Sequence, residues 1–413
     1  MDTIIKEHIS LLIILIPLFV LSQESKVTST GRVLDQKTFL PVPFASIYMQ
    51  SDYIGTTTNA EGDFAFHLPY GKAKDSVIIR AIGYALLFKR ADNFIKSGTI
   101  YLTPEDIELD EIVINSTRNI NHSAKEIVRK AYAEIKNNYP KDPYILEGFI
   151  RDLQKEDGNY VEYLECAAQF LFQGYHIKKD PAIQLQEVKS NYLAKKHPWN
   201  KANERKNSIM DLVEDDFIRF DYGPIKGKNG WKYKLVDIVT NAGGMVYKIH
   251  AVNKPFEQST LFVDTETLAF VRIELTRSSL RDKTWSRPLS NGALQVYYNL
   301  VIDYQNYNGK MYLKYKKEED HWQIYDSLES NELLFTKYPK KELFINKIRV
   351  ENLETYSFED SMEIDESIEA QAKAYNAEFW NSYNIPVLTE KQSAIIDDLK
   401  RRERGNLLKT SKN

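Results

Sequence analysis

The sequence predicts a mainly β chain with accessory helices: an amino-terminal β-sandwich, then a larger, mostly antiparallel β domain with flanking helices. Three observations carry this. Short apolar alternations closed by Gly, Pro, Asn or Asp fill residues 26–104, the punctuation of a small sandwich. From about Tyr144 the hydrophobic period is two over long stretches, as in half-buried strands. The aromatic content, 26 Tyr, 19 Phe and 5 Trp, suits pleated surfaces.

The chain opens on Ile9–Leu21, an apolar run interrupted only by Ser10 and Pro17 and followed by Ser22-Gln23-Glu24-Ser25. Its length suits the hydrophobic segment of a signal peptide and falls short of the ~20 residues of a membrane span. Residues 1–23 are therefore expected to be a leader, although Asp2 and Glu7 outweigh Lys6 where positive charge is the rule. No later segment reaches ~18 uninterrupted apolar residues. No cysteine follows the run, so a lipid anchor has no acceptor there.

Seven strands are expected in residues 26–104: Val27–Leu34, Phe44–Gln50, Tyr53–Thr58, Asp63–Leu68, Ser76–Ile82, Ala85–Arg90 and Thr99–Leu102. Residues 105–122 read as a connector, with Glu108–Ile114 alternating as one more strand. Residues 123–355 read as a helix plus an antiparallel β domain. The helix opens on the capping box Ser123-Ala-Lys-Glu126. It presents Ala124, Ile127, Val128, Ala131, Tyr132 and Ile135 on one stripe and closes at Asn137, Asn138 and Pro140.

Strands follow at Ile145–Leu153, Asn159–Gln169, Trp231–Val239, Met245–Val252, Ser259–Asp264, Ala269–Arg277, Leu294–Tyr304, Lys310–Lys316 and Gln323–Asp326. Leu261–Leu275 and Asp303–Leu313 read as hairpins, the second turning on Asn308-Gly309, the strongest short hairpin signal. Residues 171–230 read as loops and short helices. In residues 356–405 two helices are expected, one over Ile364–Tyr383 and one capped by Thr389-Glu-Lys-Gln392 and ended by Gly405.

The blocks Gly31-Arg-Val-Leu-Asp35, Leu40-Pro-Val-Pro-Phe-Ala-Ser-Ile47, Gly55-Thr-Thr-Thr-Asn59, Gly62-Asp-Phe-Ala-Phe66 and Ile82-Gly-Tyr84 resemble the carboxypeptidase-regulatory-like (transthyretin-like) domain of exported Bacteroidota-type proteins. Long consecutive hairpins behind one helix, with the Phe262-Val-Asp-Thr-Glu-Thr267 turn, resemble the LolA-like half-barrel of lipoprotein carriers. These resemblances imply an exported protein, in the periplasm or held peripherally at the periplasmic face of the outer membrane. Three Asp-Ser-aliphatic sites, Asp75–Val77, Asp326–Leu328 and Asp360–Met362, resemble the O-glycosylation signal of such proteins. A transmembrane barrel is not expected, because the residues after the connector are too few for a plug and ~22 strands at ~10 residues per strand.

With 55 basic and 58 acidic side chains, the balance gives no electrostatic reason for nucleic acid or an anionic membrane as partner. Cys166 is the only cysteine, which excludes an intramolecular disulfide and a Cys-based zinc site and reads as a buried small hydrophobe. None of the seven histidines has Glu three positions on, so the zinc motif of carboxypeptidases is absent, and neither metal nor cofactor is expected. Gly223-Pro-Ile-Lys-Gly-Lys-Asn-Gly230 lacks the spacing and the Ser/Thr of a phosphate loop and reads as a hairpin loop.

Two acidic groups have the residue types of a glycosidase: Glu318-Glu319-Asp320 beside His321-Trp322, and Glu214-Asp215-Asp216 beside Phe217. They define an envelope hydrolase as the rival function. The leading expectation is a non-enzymatic cell-envelope binding or adaptor protein, with no catalytic residues. Its partners are outer-membrane or periplasmic proteins, or a lipid-like ligand. The aromatics Trp231, Tyr233, Tyr247, Phe262, Phe270, Tyr297 and Tyr304 are the candidate lining of an apolar site on the second sheet. A third expectation is a purely structural adaptor that docks onto an outer-membrane complex through the edges of the sandwich.

Overall fold

The computed structural model describes residues 26–51, 54–105, 117–193, 208–214, 216–227, 230–279, 287–288, 292–327, 332–353, 355–364, 366, 368 and 370–410. The expected leader, the Glu108–Ile114 strand and Asp215 lie outside them.

Seven short strands form the sandwich: β1 (Lys26–Asp35), β2 (Ser46–Met49), β3 (Gly55–Thr57), β4 (Asp63–Pro69), β5 (Ser76–Arg80), β6 (Leu87–Arg90) and β7 (Thr99–Leu102). They make one sheet ordered β4-β1-β7 and another ordered β3-β2-β5-β6. Pairing is antiparallel except for β1 with β7. Strict alternation in β4 sends Phe64, Phe66 and Leu68 inward, where they meet Val33, Ile47, Val77 and Phe94 of α1 (Ala91–Phe94). Gly62 turns the chain into β4 at φ 76°; a Cβ there would lie 2.5 Å from the Val33 carbonyl, so only glycine fits.

The second sheet has eleven strands and stays open. Its order is β10-β9-β8-β18-β17-β16-β14-β13-β12-β11, with β15 on β16. These are β8 (Tyr144–Glu156), β9 (Asn159–Phe172), β10 (Ala182–Tyr192), β11 (Lys232–Asn241), β12 (Gly244–Lys254), β13 (Glu257–Asp264), β14 (Phe270–Ser278), β15 (Arg287–Pro288), β16 (Ala293–Tyr307), β17 (Lys310–Tyr325) and β18 (Leu333–Arg349). Asn308 and Gly309 both take positive φ, 50° and 77°, the twist that an Asn-Gly turn imposes on a hairpin.

Both faces of this sheet are covered. On one, α2 (Thr117–Asn138) buries Ala124, Val128 and Ala131, helped by α3 (Ser208–Glu214) and α4 (Phe217–Phe220). The end of α2 is pinned across the strands: Tyr139 Oη donates to the Phe270 carbonyl at 2.8 Å, and Lys310 Nζ to that of Asn137 at 2.5 Å. On the other face Phe149, Tyr315 and Phe344 pack under Trp380 of α5 (Ala377–Ser382), and Leu153 and Tyr163 under Ile396 and Leu399 of α6 (Glu390–Thr410).

The sandwich docks on that second face. Phe44 stacks on Tyr315 at 5.5 Å, and the Gly83 N–H donates to the Thr240 carbonyl at 2.8 Å. Asn384 closes the free edge of β4: its Oδ1 accepts from the His67 N–H at 2.7 Å and its Nδ2 donates to the His67 carbonyl at 3.3 Å. One amide side chain thus stands in for a neighbouring strand.

Several elements differ from the sequence expectations. Helix α2 begins at Thr117, so Ser123 lies inside it; no Gly or Pro between them stops the helix. Lys310–Lys316 and Gln323–Asp326 belong to one 16-residue strand. Residues expected to be irregular contain β10, and β18 was not expected at all. The helix over Ile364–Tyr383 shrinks to Ala377–Ser382, because Gln371 binds the backbone of Glu363 through both amide atoms, at 2.7 and 2.9 Å. Such side-chain bonds compete with helix. The last helix has its expected cap, with Thr389 and Gln392 exchanging bonds at 3.0 Å, but runs through Gly405 to Thr410; glycine inside a helix costs only about 1 kcal/mol. The Gly223–Lys226 segment is a 3-10 turn between α4 and β11, not a hairpin loop.

A buried ion pair locks α5 and the following segment to the sheet. Arg151 Nη2 lies 2.8 Å from Glu165 Oε1, both side chains 2% exposed, and it also donates to the Pro386 carbonyl at 3.0 Å. Burial alone would raise the Glu165 carboxyl, but Arg151, Tyr163 and Lys189 together hold it below its ordinary range. Its contribution to stability is therefore complete above about pH 4.3 and is lost as pH falls through the folded value. Glu165→Ala should cost about 3–5 kcal/mol, by stranding the guanidinium, and flatten this acid limb, both read from urea unfolding at several pH values.

Candidate functional site

The seven candidate aromatics do not form one surface. Trp231, Tyr233, Phe270 and Tyr304 are buried in the core on the α2 face, and Tyr247 packs against it. Tyr233 Oη donates to the Pro224 carbonyl at 2.7 Å. Tyr304 meets Tyr139 edge-on at 5.4 Å and donates to Asp216 Oδ1 at 2.7 Å. Asp216 also caps α4 by accepting from the Ile218 and Arg219 N–H groups. The enclosed void beside Tyr144, Phe172 and Leu313 is about 10 Å³, too small for anything beyond a single water.

Phe262 belongs to the same buried cluster and, with Tyr304, borders the cleft between sandwich and sheet; Tyr297 stands apart from them. Tyr297 lines a pocket of about 750 Å³ at the junction of β8, β18, β17 and β16. Two local irregularities shape that pocket. Pro339 has no N–H for a ladder bond, and the β17–β18 pairing lapses, with its register unchanged, between Glu319↔Lys340 and Trp322↔Lys337. Across this gap the His321 and Tyr338 rings stack at 4.1 Å. The second irregularity is a bulge between Gln295 and Tyr297, which brings Leu294, Val296 and Tyr297 to one lining; regular alternation would have separated Val296 from Tyr297.

Leu153, Tyr160 and Pro339 extend the apolar wall, and Lys155 and Lys340 stand on the rim. Lys155 Nζ lies 4.6 Å from the Tyr160 ring centre, and Lys340 is 3.2 Å from Glu342. Burial lowers the His321 imidazole below its ordinary value, so it is neutral at pH 7. A broader depression of about 880 Å³ beside the end of α2 is lined by Tyr132, Ile135 and several charged groups, among them Lys136, Lys178 and Asp221. Tyr160, Leu294, Val296 and Tyr338 were missed as lining residues, and the signal that could have found them was Pro339 within a run of alternating side chains.

The members of the acidic groups whose side chains the structure describes are occupied structurally. Glu318 pairs with Lys316 at 2.8 Å and Glu319 with Lys317 at 3.3 Å. As neighbours on β17, Glu318 and Glu319 point to opposite faces and cannot converge on one bond. Asp320 accepts from Gln295, and Asp216 is the helix cap. Among the described residues no His, Cys, Asp and Glu are grouped to hold a metal ion. Cys166 is fully buried, and burial pushes its thiol up to about 12, the state of an inert packing residue. Tyr304→Phe should destabilise the chain by about 1.5–3 kcal/mol, the range for a buried bond to a charged acceptor, read as a lowered urea midpoint with unchanged slope.

No curated protein matches this chain in sequence. Among solved structures, a domain assigned provisionally to outer-membrane lipoprotein sorting, from Vibrio parahaemolyticus, is 13% identical; the match covers 56% of this chain and 94% of that one, with a TM-score of 0.26. A DUF1329 family protein from Desulfovibrio piger is 10% identical over 57% of this chain and 94% of its own, TM-score 0.26. A LolA superfamily protein from Nitrosomonas europaea is 11% identical over 56% and 94%, TM-score 0.22. Residues 29–114 match the family model of the CarboxypepD_reg-like domain; the amino-terminal sandwich is a domain of that family.

Proposed function

We propose that this chain is a non-enzymatic binding protein of the cell envelope, which takes the apolar part of an amphiphilic, lipid-like ligand into the pocket at the Pro339 gap. The pocket carries this reading. At about 750 Å³ it falls within the roughly 300–1,000 Å³ of small-molecule sites, whereas the void beside Tyr144 in the core of the α2 face is about 10 Å³. Leu153, Leu294, Val296, Tyr297 and Tyr338 offer an apolar wall; of the charged lining residues, Glu319, Asp320 and Lys340 are bonded to Lys317, Gln295 and Glu342, and Lys155 is the cation left for an anionic head group. Export is supported by the leader-like Ile9–Leu21 run; no helix among the described residues is long and apolar enough to cross a membrane.

A dansyl-labelled fatty acid, titrated into the full chain, is the test. Fluorescence should rise to saturation, and Val296→Trp, which fills the pocket, should weaken uptake by roughly tenfold or more. No saturable signal, or equal uptake by the filled variant, removes the reading.

An adaptor role has its own observation. Phe39 and Leu40 are each 64% exposed, and Phe39 meets the exposed Tyr101 of β7 edge-on at 6.0 Å, which leaves an apolar patch at the side of the sandwich. A photo-crosslinker at position 101 should trap a single envelope protein in intact cells and lose it on Phe39→Ser. Labelling of many unrelated proteins would dismiss the adaptor.

A further inference from the structure

The cleft between sandwich and sheet holds charges that neither module's core requires. It encloses about 340 Å³, with Phe44, Ile82 and Tyr84 on the sandwich side and Phe262 and Val271 on the sheet side. Three cations line it: Arg80 at the end of β5, Arg272 on β14 and Lys314 on β17. Two carboxylates accompany them, Glu274 and Asp303.

Arg272 consumes both carboxylates. Its Nε lies 2.7 Å from Glu274 Oε1, and its Nη1 lies 3.0 and 2.8 Å from the two Asp303 oxygens. Arg80 and Lys314 are left with no ion pair and no hydrogen bond among the described residues. Arg80 has only the Tyr48 ring, 5.4 Å from its guanidinium carbon. The two remaining titratable groups of the cleft are tyrosines already engaged elsewhere: Tyr84 donates to Asp35 at 2.9 Å and Tyr304 to Asp216 at 2.7 Å. Arg80 and Lys314 are both half-buried, and the nearby carboxylates are already bonded to Arg272; cations placed so are unfavourable, and here one comes from each module.

We propose that this cleft binds a small oxyanion, a carboxylate or phosphate group, between Arg80 and Lys314, so that the ligand's charge joins the sandwich to the sheet. Domain interfaces are preferred places for such sites. A proton linkage follows. Burial first, then Arg80 and Arg272, lower Lys314 to about 7, with Asp303 opposing them. Near neutral pH the amine is partly uncharged; a bound anion recharges it, so binding takes up part of a proton and weakens as pH rises.

Inorganic phosphate and succinate are the probes, titrated calorimetrically into the full chain at pH ~7.5 in two buffers of different ionisation enthalpy. Saturable binding with net proton uptake is expected. Either probe binding alone supports the site and names the group it takes. Arg80→Gln and Lys314→Met should each weaken binding by roughly tenfold or more. Lys314→Met should also raise the unfolding midpoint in anion-free buffer, because it removes an amine that has lost its water. Absence of binding by both probes, undiminished affinity in Lys314→Met, or a lowered midpoint for that variant would each overturn the proposal.

Discussion

A sheet that carries Leu, Ile, Phe and Tyr on both faces cannot leave either to water. That constraint governs the second part of this chain. Leu146, Ile150 and Leu164 face one way, Phe149, Phe344 and Tyr315 the other, and each set needs a cover. The chain supplies two of different origin: helices from its middle for the first face, and the sandwich with the two terminal helices for the second. The sandwich is therefore part of the sheet's own burial. Asn384 and the Phe44–Tyr315 stack hold it where the burial demands.

The same constraint explains the charges. Arg151 and Glu165 lie within a face that α5 and its following segment seal, so they are satisfied by each other and by a carbonyl. Lys316 and Glu318 repeat the arrangement on the other face at 2.8 Å. Replacing such pairs by apolar residues is often neutral or stabilising, so their role is better sought in register. A one-residue slip of β8 on β9 would move Arg151 off Glu165 and opposite Leu164 or Cys166, whereas Lys316 and Glu318 lie on one strand and stay together.

Most of the architecture was legible in the residues. Period-two alternation located all seven sandwich strands, and the turn signal at Asn308-Gly309 fixed where its hairpin reverses. What was not legible has physical causes. β18 contains Lys337, Pro339, Lys340 and Lys341, residues of low strand propensity, and no strand was expected there; it is central because β8 and β17 accept it on both sides, so tertiary pairing overrode propensity. The helix over Ile364–Tyr383 failed for the reverse reason, since a local side-chain bond from Gln371 outcompeted a good stripe. The pocket depended on a missing N–H and a bulge, neither of which alters hydrophobic period. The core aromatics were recognisable as inward-facing, but their sequence could not say whether they surround a space or fill it.

The place of β18 has a consequence for how the chain comes to exist. It lies between β8 and β17, pairing Phe149 with Phe344 on one side and Tyr315 with Phe344 on the other. Until synthesis has delivered Arg349, the sheet is two fragments, β10-β9-β8 and β17 onward, each ending in a long unpaired apolar edge. Such edges are templates for wrong partners, and closing a loop of that length is slow. The proline that opens the pocket also interrupts the last strand to arrive, shortening the flat edge it could offer to another molecule while it waits.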